Sequence, residues 1–395
     1  MRYVLRASLA LAFFGVVAAA AEPPSGRKVD LKASDGTKLA VTYYASERPG
    51  PGILLLHQCN KDRSSWNALA EELATKGFHV LTLDYRGYGD SGGTPYTQLT
   101  FPQQRTVGEK WPGDVDVAFG YLKSQPGVRG DVFGAGGASC GVNQSIQLAR
   151  RHPEVKSLVL LSGNTNKDGR GFLKTASSLP LFLSAADDDG GAVELMAWLD
   201  ATSGNPQNKF VEFKVGGHGT EMFTAHPDLP GDIVGWYQAT LLGVGKGAAV
   251  PASKQARPAP GPTVRMLVLM DEPGGAARVA EALTAERKKD PKAAILETGF
   301  VNRLGYQALE LGDTRSAVAI MQLNVEANPS SANAWDSLGD AYIADGQREK
   351  GRAAAEKTLA LLPSDKSVND DLQKLIRESA QQKLDQLKTP PAPKS

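Results

Sequence analysis

The sequence predicts an α/β protein, with a doubly wound, mostly parallel sheet covered by helices on both faces and an all-α helical-repeat domain after it. Three observations predict this. Between residues 28 and 243, short apolar or β-branched runs alternate with segments of helical spacing, the pattern of successive strand–helix–strand crossovers. Residues 244–263 read VGKGAAVPASKQARPAPGPT. Their proline, alanine and glycine content and lack of apolar periodicity describe an extended tether between domains. Beyond it the strand patterns vanish, and Pro329 and Pro363 stand 34 residues apart, a period of stacked helical hairpins.

Taken in order, Lys38 to Tyr44 alternates like a strand at a sheet edge. Gly52-Ile53-Leu54-Leu55-Leu56 is a continuous apolar run, as in a strand buried on both faces. Trp66 to Lys76 has helical spacing, and Phe78 to Leu83 is a strand. Val115 to Leu122 is helical, Asp131-Val132-Phe133 starts a strand, Val142 to Arg151 is helical and Leu158 to Leu161 is a strand. A strand at Leu181 to Ser184, a helix at Ala192 to Leu199, a strand at Phe210 to Lys214 and a helix at Ile233 to Leu242 complete the sheet domain. Such sheets bind ligands at the carboxyl ends of their strands, so chemistry is expected in the strand-to-helix turns.

After the tether, Trp335, Leu338, Gly339 and Tyr342 precede Pro363 at the spacing of a tetratricopeptide repeat, which this segment resembles. One period earlier Leu304, Gly305, Ala317 and Pro329 repeat the pattern, with Val301 in place of the tryptophan and Ala308 of the tyrosine. The units cover about 298–331 and 332–365, in a domain of 264–388. Residues 265–296 read as a degenerate unit or a docking helix. Leu372, Ile376, Ala380, Leu384 and Leu387 mark an amphipathic cap at 367–388, and 389–395 reads as a disordered tail. Two units are fewer than an independent stack needs, so flanking helices are expected to supply the missing surface.

The chain has 395 residues, 41% hydrophobic and 22% charged, which excludes collagen-like and wholly disordered classes. Lys+Arg is 44 and Asp+Glu is 43, so no charge excess points to nucleic acid. Arg2 and Arg6 precede an apolar run from Ala7 to Val17 and then Ala18-Ala19-Ala20-Ala21. This reads as a signal peptide over 1–21, cleaved before Glu22, with an uncleaved anchor as the alternative. The expected location is periplasmic or secreted, with no stable membrane span after cleavage. Cleavage removes two arginines and takes the net charge from +1 to −1. Two cysteines, Cys59 and Cys140, cannot build a four-thiolate zinc site. No cofactor or metal is expected.

Gly137-Ala138-Ser139-Cys140-Gly141 carries the chemistry. Glycines on either side of a serine allow a strained turn that exposes the hydroxyl between a strand and a helix. Composition alone yields on the order of 0.3 chance matches to this pattern per chain, so its position between an expected strand and an expected helix is what distinguishes it. The bland alternative is a glycine-rich structural turn. Of five histidines, His79 lies in a strand, His152 ends a helix and His226 sits in an exposed, proline-containing segment. His57 follows a strand, and His218 alone stands in a glycine-flanked loop after a strand.

With these residues residues 28–243 resemble the α/β-hydrolase superfamily, closest to its dienelactone-hydrolase-like and serine esterase/peptidase branches. Asp84-Tyr85-Arg86-Gly87-Tyr88-Gly89-Asp90-Ser91 is similar to the turn those proteins carry after an early strand. Pro180 to Asp189 resembles the late strand and the turn presenting the catalytic acid, and Gly216-Gly217-His218-Gly219 resembles the histidine loop. The resemblance implies Ser139 as nucleophile, His218 as base and Asp189 as orienting acid, with Asp188 as runner-up and Asp187 beside them. An alternative reads Asp187-Asp188-Asp189 as a calcium loop, but no glutamate follows where one is required. The implied oxyanion donors are the backbone N–H of Cys140 and that of Gln58 or Cys59. Relatives often carry His-Gly where this chain has His57-Gln58. Cys59 and Cys140 would then border one pocket, either bridged or as two unpaired buried cysteines. A Cys140 nucleophile is the alternative to Ser139, disfavoured because β-branched Val142 would replace a glycine in the turn.

Lids in this superfamily enter between the strands ending near Leu161 and starting near Leu181. Gly163 to Leu179 holds one helix, so an open site without a large lid is expected. Thr94 to Trp111, with Tyr96 and Phe101, reads either as pocket lining or as a surface loop. The implied function is an exported serine hydrolase of esters, thioesters or amides, with small-molecule substrates and a protein or peptide partner on the repeats. The alternative is a non-catalytic scaffold or interaction protein.

Overall fold

The computed structural model describes residues 26–243 and 260–388. The signal segment 1–21, most of the tether 244–263 and the tail 389–395 lie outside the described residues. No helix among the described residues is long and apolar enough to cross a membrane.

Eight strands form one sheet: β1 (Arg27–Lys32), β2 (Lys38–Tyr44), β3 (Gly50–Leu56), β4 (His79–Leu83), β5 (Val128–Ala138), β6 (Val155–Leu161), β7 (Leu181–Ala186) and β8 (Lys209–Phe213). Their spatial order is β1-β2-β4-β3-β5-β6-β7-β8. β1 pairs antiparallel with β2, and β2 with β4. The remaining neighbours are parallel. β2 is therefore not the edge strand expected; β1 covers it. The charges of β1 mask the alternation of Val29 and Leu31, the two residues that pack on the core.

The helices of the sheet domain are α1 (Asn67–Thr75), α2 (Phe101–Gly108), α3 (Trp111–Lys123), α4 (Cys140–Arg151), α5 (Lys167–Thr175), α6 (Ala192–Ser203), α7 (Met222–Ala225) and α8 (Leu229–Tyr237). β3 is buried along its whole length because helices cover both faces of the sheet. One face packs against α3, α4 and α6 through residues such as Phe119, Ile146 and Met196. The other packs against α1 and α8 through Leu69, Leu73, Ile233 and Tyr237.

The second domain comprises α9 (Pro262–Met270), α10 (Gly275–Lys289), α11 (Thr298–Glu310), α12 (Thr314–Ala327), α13 (Ala332–Ala344), α14 (Arg348–Leu361) and α15 (Asp370–Lys388). Residues of α9 to α14 share one apolar cluster, in which Trp198 of α6 is also buried. α9 thus docks the helical region onto the sheet domain. Arg170 of α5 fixes the junction. It is almost fully buried, binds Asp271 at 2.8 Å and lies over the Trp198 ring at 4.2 Å. α15 is held to α13 by the buried ammonium of Lys383, which bridges Asp336 and Asp340 at 2.9 and 3.0 Å.

Candidate active site

Ser139 sits between the end of β5 and the start of α4 with φ 52° and ψ −117°. Such a backbone costs about 1–3 kcal/mol in a non-glycine residue and persists only where its surroundings enforce it. Gly137 and Gly141 enforce it by close approach. A Cβ on Gly137 would collide with the Gly141 carbonyl, and one on Gly141 with the Leu56 carbonyl. The Ser139 N–H donates to Leu161 at 2.8 Å, tying the turn to β6. The half-buried hydroxyl therefore stands at the N-terminus of a twelve-residue helix, where negative charge is favoured.

The loop after β8 presents His218, whose Nδ1 lies 2.9 and 2.8 Å from the two carboxylate oxygens of Asp189. Asp189 follows β7. The hydrogen bond to Asp189 raises the His218 pKa above its ordinary value, and burial opposes this. The three adjacent acids do different work. Asp188 accepts the N–H groups of Gly216 and Gly217 at 3.0 and 3.2 Å and braces the histidine loop. Asp187 binds Lys214 at 2.6 Å. They face three different partners, unlike a calcium loop. No hydrogen bond joins Ser139 to His218 among the described residues. The loops themselves are in contact, since a Cβ on Gly219 would lie 3.1 Å from the Ala138 Cβ, and nucleophile–base contacts often tighten only around substrate.

Gln58 explains how the histidine loop is held. Its buried side chain accepts from the Thr220 N–H at 2.8 Å and the Thr220 hydroxyl at 2.9 Å. Its amide donates to the His218 carbonyl at 3.1 Å and to Asn60 at 2.8 Å. The glutamine that replaces the usual glycine is thus a clasp between the loop after β3 and the histidine loop. From sequence Gln58 is legible only as a backbone donor. The unusual residue itself was the signal.

His57 holds the peptide unit after Gln58. The Tyr85 N–H can only donate, and it meets Nε2 at 3.2 Å; the Gln58 carbonyl can only accept, and it meets Nδ1 at 2.7 Å. His57 is therefore neutral with the proton on Nδ1, and burial pushes its pKa down. Every peptide among the described residues is trans, so the Gln58–Cys59 unit, with its carbonyl turned to His57, points the Cys59 N–H the opposite way. Cys59 and Cys140 form a disulfide, with Cα atoms 5.9 Å apart. The bridge replaces the reading of two unpaired cysteines and leaves no thiol for a Cys140 nucleophile. It ties the loop after β3 to the N-terminus of α4.

The segment 94–111 joins the wall behind His57. Tyr88 stacks on Tyr96 at 5.1 Å, Tyr85 stacks on Trp111 at 4.8 Å, and His57 packs on Tyr85 at 4.5 Å. The turn after β4 has a structural role: buried Asp84 binds Arg63, and Arg86 binds Asp114 and Asp35. A cavity of about 310 Å³ lined by Lys28, Asp62, Arg63, Glu71 and Asp90 touches none of Ser139, His218 and Asp189. His226 is half-buried rather than exposed, because its ring stacks on Phe213 at 3.6 Å and Nε2 bonds the Val215 carbonyl at 2.6 Å. α11 lies against the segments that follow β6 and β7. Lys167 N donates to Glu310 at 3.0 Å, and Gly191 packs on Arg303.

Residues 51–184 match the family described as alpha/beta hydrolase fold, and the chain has that fold, followed by a helical C-terminal region. An uncharacterized protein of Mycobacterium tuberculosis is 36% identical over 96 residues, 24% of this chain and 34% of that protein. Thiohydrolase aneE of Aspergillus aculeatus is 32% identical over 113 residues, 28% of this chain and 33% of its own length. The chain thus spans about a third of these curated relatives. Among solved structures, an esterase of Pyrococcus furiosus is 19% identical with a TM-score of 0.45, covering 55% of this chain and 92% of its own.

Proposed function

We propose that the protein is an exported serine hydrolase that cleaves esters or thioesters through an acyl-enzyme. The observation that carries this reading is the His218–Asp189 pair, on a loop packed against a strained serine turn. Asp189 holds the imidazole with its proton on Nδ1, leaving Nε2 as base. Ser139 Oγ attacks the carbonyl carbon and gives its proton to His218. The carbonyl oxygen takes the negative charge and receives the N–H groups of Cys140 and Cys59. His218 then protonates the leaving group as its bond breaks. Water, deprotonated by His218, releases the acid and restores Ser139.

The thiohydrolase relative supports including thioesters among the substrates. The helix pairs α11/α12 and α13/α14, at tetratricopeptide spacing, are proposed to bind a protein or peptide segment. The test is a panel of short-chain p-nitrophenyl esters and acyl thioesters, with wild type and Ser139→Ala. Turnover in wild type lost by about 10³-fold or more in the variant supports the reading. No turnover of any ester or thioester by folded wild type returns the chain to the scaffold alternative.

A further inference from the structure

We infer that the helical domain walls one side of the catalytic site, and that Arg303 of α11 there selects substrates carrying an anionic group. The inference rests on the hydrolase reading above.

β6 and β7 are parallel neighbours, and the turns beyond their carboxyl ends lead into α5 and α6. α11 touches both turns. Glu310 accepts from the backbone N–H of Lys167, the first residue of α5, at 3.0 Å. Seven residues earlier on the same helix, the terminal nitrogens of Arg303 lie 3.2 Å from where a Cβ of Gly191 would be. Gly191 is two residues after Asp189, the partner of His218. Ser139 stands at the end of β5, hydrogen-bonded to the end of β6. A segment that spans the ends of β6 and β7 therefore borders the rim where the serine and the acid both lie.

The docking is fixed. Arg170 is almost fully buried between the domains and pairs with Asp271. Trp198 of α6 shares its apolar cluster with Leu267, Met270 and Leu304. The wall is thus part of the folded chain.

Arg303 differs from the other deeply placed guanidiniums of this rim and its surroundings. Arg63, Arg86 and Arg170 are each bound to carboxylates. Half-buried Arg303 makes no hydrogen bond or ion pair among the described residues. Glu194 and Glu297 are the acids that favour its charge, and neither lies in ion-pair range. Partial burial without a partner is unfavourable for a guanidinium. A carboxylate or phosphate presented by a substrate would supply the missing partner in its preferred bidentate geometry.

The anionic group can lie on the acyl side or on the leaving group, and the experiment separates them. Using full-length protein, kcat/KM is measured for p-nitrophenyl butyrate against the p-nitrophenyl hemiester of glutarate, and for phenyl acetate against 4-acetoxybenzoate. In wild type one anionic member should exceed its neutral counterpart by about 10- to 100-fold. Arg303→Met should collapse that ratio, and Arg303→Lys should keep part of it. Equal rates for both members of both pairs in wild type would overturn the inference and leave the hydrolase reading intact. So would an equal fall for charged and neutral esters in Arg303→Met, the signature of a merely structural residue. Failure of wild type to turn over all four esters, and every ester and thioester of the panel above, would overturn both readings together.

Discussion

Replacing Gln58 with methionine keeps most of its volume and removes its four hydrogen bonds. Two of the lost partners are on Thr220, which is buried, and the others are the His218 carbonyl and Asn60. A buried N–H left without an acceptor costs about 1–3 kcal/mol, and each further bond lost adds roughly 0.5–1.5 kcal/mol where water cannot replace it. The exposed side of Asn60 and the half-buried His218 carbonyl can rehydrate, so the expected loss is about 2–4 kcal/mol. For a domain of this size that lowers Tm by roughly 5–10 °C. The catalytic consequence is larger than stability alone predicts, because the clasp also sets where His218 stands. A displacement of about 1 Å in a general base costs up to about 100-fold in rate. The assays are thermal melting, native-state amide exchange at Thr220 and kcat/KM on the best ester of the panel. Wild-type melting with unchanged Thr220 protection would refute the clasp. A lowered Tm with unchanged kcat/KM would confine Gln58 to a structural role.

Asp189→Asn should cut kcat by about 10³- to 10⁴-fold, because the amide no longer fixes the reactive tautomer of His218. In wild type the acid limb of the kcat/KM profile should fall above pH 6.5, since Asp189 raises the His218 pKa; base activity is lost as pH drops through that value, and in Asp189→Asn the limb should move down. A limb at or below the ordinary histidine value in wild type would contradict the pairing. Reducing Cys59–Cys140, which closes a loop of 81 residues, should cost about 4.5 kcal/mol on the loop-entropy account and lower kcat by loosening the two proposed oxyanion donors. Two free thiols in native oxidised protein would refute the bridge. Arg170→Met leaves Asp271, whose pKa burial already raises, without its cation. It should destabilise the domain junction by about 3–5 kcal/mol, seen as separate unfolding of the two domains by calorimetry.

The central parallel strands were legible because they are buried on both faces and read as apolar runs, as Ile53 to Leu56 and Leu158 to Leu161 do, whereas β8, at the other edge, keeps Lys209 and Glu212 among its apolar residues. The serine turn was legible because its steric demands force a glycine on each side of Ser139. β1 was not, because an edge strand needs only one apolar face and Arg27, Lys28, Asp30 and Lys32 dominate its sequence. Choosing among Asp187, Asp188 and Asp189 required coordinates: a one-residue change in a turn redirects a carboxylate entirely, and here each acid finds a different partner. Gln58 was visible as an oddity, but its purpose depends on Thr220, 162 residues away. The contact of Arg303 with Gly191 had no local signal, since it follows from how two domains dock. The helical hairpins were legible from the 34-residue spacing of Pro329 and Pro363, while the docking role of α9 came only from its packing on Trp198.

One hydroxyl, on a strained turn and served by His218, is the proposed nucleophile. Incubating the native protein with a fluorophosphonate and mapping the adduct by peptide mass spectrometry tests it most directly. The account predicts one adduct per chain, on Ser139, forming far more slowly in His218→Ala and not at all in Ser139→Ala. An adduct on another residue, or labelling of Ser139→Ala at the wild-type rate, would contradict it.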